Sequence, residues 1–255
     1  MAGLVFLVFA VCLVLGLPIV SSLSISSIFP AMVGVKGAPT VEALIRAIFG
    51  GADTISILAV PLFILAGVLM ARGGISKKLF DVFAYFLGKR TAGMPCAAIA
   101  TCLFYGAISG SGPATAAAVG AMTIPVLRNL GYDKDFSAAM IATAGSLGVV
   151  IPPSIPFVLY GLATGASVGN LFIAGIIPIL VGLCLMGYAF VYCKRNGEDK
   201  ERILENYTKI KAQGLGHLLK ESFWALLSPV IILGGIYSGL TTPTEAACIS
   251  VFYSL

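Results

Sequence analysis

The sequence predicts an all-α polytopic membrane protein with a re-entrant helical hairpin and a broken helix. Three observations carry that prediction. First, 58% of the 255 residues are hydrophobic and 11% charged, with mean hydropathy +1.01, whereas soluble domains carry roughly 25% charged residues. Second, two long runs, residues 91–127 and 136–193, contain no Asp, Glu, Lys, Arg or His. Third, each run is interrupted by a Gly/Ser/Pro break, at residues 106–115 and 145–154. In hydrocarbon every backbone N–H and C=O needs a partner, so irregular chain is tolerated there only where protein buries it or a wet cavity faces it. Two such breaks in succession predict a binding site where they meet near the bilayer midplane, in a protein that moves a small polar solute across a membrane.

Residues 3–20 are long enough to cross, at about 1.5 Å of rise per residue against a core of roughly 30 Å. Pro18 is expected to end or kink that helix. The stretch has no basic n-region and no small-residue cleavage pattern, so it reads as the first membrane helix and not as a signal peptide. Serine-rich residues 21–33 read as an interfacial segment, and residues 40–49 as a short amphipathic helix with Glu42 and Arg46. Asp53 or Thr54 is expected to cap a span through Pro61 to Met70. Residues 72–90 set Lys77, Lys78, Lys89 and Arg90 beside Leu79, Phe80, Phe83, Phe86 and Leu87 at helical spacing, which predicts a helix in the headgroup plane. Residues 1–90 thus form N-terminal scaffold helices and an interfacial helix.

Residues 91–193 form a transport-type unit: hairpin 91–128, broken helix 135–164 and return helix 168–193. The second hairpin arm, 114–127, is about 21 Å long as a helix, short for a crossing. Basic residues flank the hairpin on both sides, Lys89 and Arg90 before it and Arg128 and Lys134 after, which returns both ends to the cytoplasmic face. A cytoplasmic polar segment follows over 194–221, with seven Lys/Arg against four Asp/Glu in residues 194–220. Residues 222–255 read as a connecting helix and the start of a second repeat, with Glu245 as an interfacial cap or a functional acid. Fourteen Lys/Arg then lie inside, against Lys36 and Arg46 outside, and the N-terminus is cytoplasmic.

Net charge of +5 does not point to nucleic acid, because the basic residues sit in loops between apolar runs. Six cysteines have no C-x-x-C spacing and no nearby histidine, so they read as small hydrophobes without a zinc ligand set.

The breaks themselves suggest chemistry. Pro113 and Pro156 fit the first turn of a helix, with Ser111 or Gly112 and Ser154 placed to cap. Such termini offer free N–H groups and about half a positive charge, suited to a carboxylate. The opposing ends, Ile108-Ser109 and Gly145-Ser146, offer carbonyl and hydroxyl oxygens of the kind that hold sodium where transporter helices unwind. With no ionisable side chain in either run there is no salt-bridge partner and no proton relay in this part. Sodium therefore fits as the coupling ion better than protons. An intramembrane serine protease using Ser109 or Ser111 lacks a base, since His217 falls in the polar segment and neither serine has a Gly-x-Ser-x-Gly setting.

Residues 106–120 (GAISGSGPATAAAVG), 145–156 (GSLGVVIPPSIP) and 234–247 (GGIYSGLTTPTEAA), in that order, resemble the large membrane subunit, DctM type, of the tripartite ATP-independent periplasmic (TRAP) transporters. The resemblance spans nearly the whole chain. It implies a non-enzymatic secondary transporter subunit for sodium-coupled uptake of a small organic acid, such as a C4-dicarboxylate, keto acid or sialic acid, across a bacterial or archaeal inner membrane. It implies elevator-type movement, no cofactor, a DctP-type periplasmic binding protein that delivers the substrate, and a small DctQ-type membrane subunit as brace. By similarity, Ser109, Gly110, Ser111, Gly112, Pro113 and Thr115 join Gly145, Ser146, Gly148, Val149, Pro152, Pro153 and Ser154 in one wall of the substrate cavity. Sodium is then expected at Ser109, Ser111, Gly145 and Ser146. The family's large subunit carries a second, inverted repeat whose motifs do not recur here, so the chain is expected to be the N-terminal half of an inverted-repeat transporter. Two alternatives stay open: a sodium/dicarboxylate symporter of the same superfamily, whose hairpin tip is typically Ser-Asn-Thr, and a non-transporting assembly subunit.

Overall fold

The computed structural model describes residues 2–35, 37–175 and 177–255. Lys36, counted above among the external cations, lies outside them, as does Ile176 within the expected return helix. Among the described residues the fold is helical without strands. It divides into two compact units, Met1–Thr54 and Ile55–Leu255.

In the first unit, α1 (Ala2–Val14) and α2 (Ile19–Met32) pack on each other, and α3 (Val41–Ala52) follows. The single crossing expected over residues 3–20 is thus two shorter helices. Gly16 takes φ of +80°, a left-handed conformation that closes a helix, and Pro18 stands at the N-cap of α2 instead of kinking α1. Each helix is about 20 Å long, below the core thickness of roughly 30 Å. Within α2, Ser22, Ser24 and Ser27 donate to carbonyls four residues back and Ser26 to one three back. Their hydroxyls are satisfied inside the helix. Thr40 caps α3 by accepting from the Ala43 amide, and Arg46 pairs with Glu42 at 2.6 Å.

The second unit opens with a 3-10 turn (Ile55–Leu58) that runs into α4 (Ala59–Arg72). Neither expected cap serves α4: Asp53 ends α3, and Leu58, already helical, precedes Ala59. α5 (Ile75–Leu87) buries Leu79, Phe80, Val82 and Ala84, while Phe86 is exposed. The buried stripe shifts because α5 packs against protein on several sides, not against lipid alone.

α6 (Gly93–Ser109) and α7 (Gly112–Asn129) form a hairpin; α8 (Lys134–Leu147) and α9 (Ile155–Thr164) are halves of a helix broken over residues 148–154. α6 is buried along nearly its whole length between α4, α5, α7, α8 and α11. At its base a residue distant in the chain ties it down: Glu198 Oε1 accepts from the Ala92 amide at 2.9 Å and from the Tyr132 hydroxyl at 2.6 Å. Burial, and then Glu198, push the Tyr132 phenol above its usual range. The chain continues through α10 (Val168–Ala174), α11 (Ile177–Asn196), α12 (Lys200–Ala212), α13 (Leu215–Tyr237) and α14 (Pro243–Ser254). α13 begins seven residues before the expected span at Ser222, after Gly214 at φ +80°, so Lys220 and Glu221 ride on it. Among the described residues, Ile55–Arg72, Val168–Asn196 and Leu215–Tyr237 are long and apolar enough to cross a membrane.

Candidate functional site

The two irregular segments touch. A methyl group on Gly106 would sit 2.4 Å from Gly148 Cα, so the last turn of α6 lies directly on the start of the second break, and only glycine permits that approach. Gly110, at φ +60°, turns the chain between α6 and α7, and a methyl there would meet the Pro153 carbonyl at 2.8 Å. Gly112 faces Val149 Cγ2 at 2.6 Å and the Gly145 carbonyl at 3.3 Å by the same measure, and Gly145 itself packs on Ala116.

Three oxygens converge at this contact. Thr115 Oγ1 donates to the Ser111 carbonyl at 2.8 Å and lies 3.0 Å from Ser109 Oγ. Ser109 Oγ in turn lies 3.4 Å from the same Ser111 carbonyl, and either hydroxyl can be the donor between the two. Ser109 and Thr115 are both buried. Gly148 packs tightly beside them: a methyl there would come 2.8 Å from Thr115 Oγ1, 2.9 Å from Gly106 Cα and 3.1 Å from the Gly145 carbonyl. An uncharged hydroxyl and carbonyl set of this kind suits a hard cation.

The other expected residues divide. Ser111 is the N-cap of α7 in extended backbone, yet its side chain makes no cap hydrogen bond, and Pro113 occupies the first turn. Ser154 is fully buried, accepts from the Phe157 amide and donates to the Val149 carbonyl, so its hydroxyl closes the second break. Pro152 and Pro153, joined by a cis peptide, are buried beside it. Ser146 does not join the cluster: it is exposed, and its hydroxyl donates to Thr143 O at 2.7 Å within α8.

A cavity of about 510 Å³ opens between α4, α6, α7 and α9, with Ser109, Ser111 and Tyr105 among its lining. Gly67 of α4 lies against it, and a methyl there would come 3.1 Å from Ser109 Cα. Gly67 and Gly106 escape sequence reasoning as site residues. The lone glycine in an otherwise bulky α4 is the signal that marks a close helix crossing. Among the described residues no group of three or more His, Cys, Asp or Glu gathers.

Residues 6–255 match the family described as "Tripartite ATP-independent periplasmic transporter, DctM component". The chain is 45% identical over 251 residues to the isethionate TRAP transporter permease protein DctMQ of Oleidesulfovibrio alaskensis, covering 97% of this chain and 38% of the relative. It is 38% identical over 244 residues to a putative TRAP transporter large permease protein of Haemophilus influenzae, covering 95% and 56%. It is 37% identical over 255 residues to the C4-dicarboxylate TRAP transporter large permease protein DctM of Vibrio cholerae, covering 99% and 54%. The chain thus spans about half the length of these relatives, and less of the first.

Proposed function

We propose that this chain, which belongs to the DctM component family of tripartite ATP-independent periplasmic transporters, supplies one sodium site and one wall of the substrate cavity of a sodium-coupled uptake system for a small organic acid. The observation that carries this reading is the meeting of Ser109 Oγ, Thr115 Oγ1 and the Ser111 carbonyl where the two breaks touch. Sodium at this meeting point takes lone pairs from Ser109 Oγ, Thr115 Oγ1 and the Ser111 carbonyl. The amides at the start of α7, left without a side-chain cap, and the helix dipole then favour a carboxylate or sulfonate close to the bound cation. Neither charge is stable there alone, because the surrounding runs hold no ionisable group. That mutual dependence is the coupling.

Two relatives are named for isethionate and C4-dicarboxylate; both are small organic anions, and that class is proposed for this chain. A DctP-type binding protein delivers the anion, and a DctQ-type subunit braces the membrane part. The chain sits in a bacterial or archaeal inner membrane with its N-terminus cytoplasmic and moves its hairpin and broken helix as an elevator. The test is a chimera in which this chain replaces the matching part of the Vibrio cholerae relative, reconstituted with that relative's binding protein. C4-dicarboxylate uptake is expected to require a sodium gradient, and Thr115→Val is expected to raise the sodium needed for half-maximal uptake about tenfold, the equivalent of one lost hydrogen-bonding group. Equal uptake in potassium, or an unaltered sodium dependence in both Thr115→Val and Ser109→Ala, contradicts the reading.

A further inference from the structure

A second cavity, of about 210 Å³, lies away from the breaks between the end of α4, α5, the start of α13 and α14, with Leu69, Lys78, Glu221, Trp224 and Tyr253 on its walls. Its position relative to the bilayer follows from two apolar spans of opposite direction: Ile55–Arg72 ends here and Leu215–Tyr237 begins here. The ends carry Arg72, Lys77, Lys78 and Lys220, and Trp224 packs edge-on with Phe223 and near Tyr253, whose hydroxyl donates to the Trp224 carbonyl at 2.7 Å. Basic side chains with Trp and Tyr at the mouth of two spans mark the headgroup level.

The charges in this pocket are of both signs and are not used on each other. Among the described residues Lys78 forms no ion pair, and Glu221 pairs only with His217, at 3.4 Å on its own helix. Ser222 Oγ donates to the Lys78 carbonyl at 3.0 Å, which fixes α5 on α13 and holds Lys78 and Glu221 on facing walls. Burial raises the nearby Asp81 carboxyl, Lys77 lowers it and Glu221 raises it further, so Asp81 lies within electrostatic reach of both. A purely anionic ligand would meet Glu221, and a purely cationic one Lys78.

We propose that this pocket binds the headgroup of a zwitterionic amino-phospholipid of the phosphatidylethanolamine class, with its phosphate on Lys78, its ammonium on Glu221 and its glycerol end leaving past Leu69 and Trp224. The polar walls set the headgroup, and the apolar walls admit the start of an acyl chain. Choline lacks the N–H donors that Glu221 takes, and glycerol supplies no cation.

Trp224 is the chain's one tryptophan and is 64% exposed, so its fluorescence reports on lipid at the mouth of this pocket. The purified chain is reconstituted in phosphatidylcholine vesicles doped with the same small fraction of brominated-chain phosphatidylethanolamine, phosphatidylglycerol or phosphatidylcholine. Quenching by the ethanolamine lipid is expected to show about a fivefold preference over the other two, the size expected of one headgroup contact. Glu221→Gln, which keeps the side-chain shape, and Lys78→Gln are each expected to abolish that preference with helical content unchanged. Soluble phosphoethanolamine is expected not to relieve the quenching. Equal quenching by all three lipids, strongest quenching by the glycerol lipid, no quenching at all, relief by the soluble headgroup, or a preference that survives both substitutions overturns the proposal.

Discussion

Thr115 shows how much a single hydroxyl decides. Its hydroxyl lies 2.8 Å from the Ser111 carbonyl and 3.0 Å from Ser109 Oγ, and a methyl on Gly148 would come 2.8 Å from it, so it touches both breaks. Thr115→Val preserves shape and removes that oxygen. In the purified chain, sodium at ten times its dissociation constant stabilises a bound state by about 1.4 kcal/mol. A sodium-dependent rise in melting temperature, set against potassium, is expected in the parent chain and absent in Thr115→Val. Glu245 resolves differently. The Thr242 amide, donating at 2.7 Å, and the Thr242 hydroxyl hold its carboxyl below the usual carboxylate range in a reciprocal cap of α14. Since the folded value is the lower one, the contribution to stability is present above the unfolded value and lost as pH falls through the folded one. Glu245→Gln is therefore expected to flatten the loss of stability on acidification below the ordinary carboxylate range, measured by thermal melting across pH. The TTPTE stretch is thus a helix start, and its acid is used as a cap.

At the scale of elements, the breaks were legible because glycine and proline in an uncharged run leave backbone groups that need a partner, and the end of α8, the break and the start of α9 fall where residues 145–156 indicate. Gly16 was not legible in the same way: a lone glycine is common in membrane helices, and nothing local distinguishes one that turns left-handed. Nor did the serines of α2 announce that they would bond back into their own helix. Ser146 looked like a ligand from its position, yet its rotation on α8 turns it away from Thr115, and rotation of that kind is fixed by packing between α7 and α8. The contact of α6 with the second break carries a prediction of its own. Gly148→Ala puts a methyl 2.8 Å from Thr115 Oγ1 and 2.9 Å from Gly106 Cα, a clash with backbone that cannot rotate away, and overpacking of this sort costs about 1–3 kcal/mol. At the hairpin base, Tyr132→Phe removes one of two donors to Glu198. A hydrogen bond to a charged group contributes about 1.5–3 kcal/mol, and thermal melting is expected to report a loss of that order, larger in Glu198→Ala.

The second unit packs α4, α5, α7, α8, α11 and α13 around α6, so that its last turn is held from several sides. Such support is what a site made of backbone and hydroxyl oxygens requires, since none of its donors brings a charge strong enough to organise the cation alone. One sodium ion per chain is the stoichiometry expected of the proposed site at Ser109 and Thr115. The account stands most directly on radiolabelled sodium binding to the purified chain. It predicts saturable binding of one ion per chain that disappears in both Thr115→Val and Gly148→Ala while helical content is retained. Binding that persists undiminished in both variants, or no saturable sodium binding in the parent chain, contradicts it.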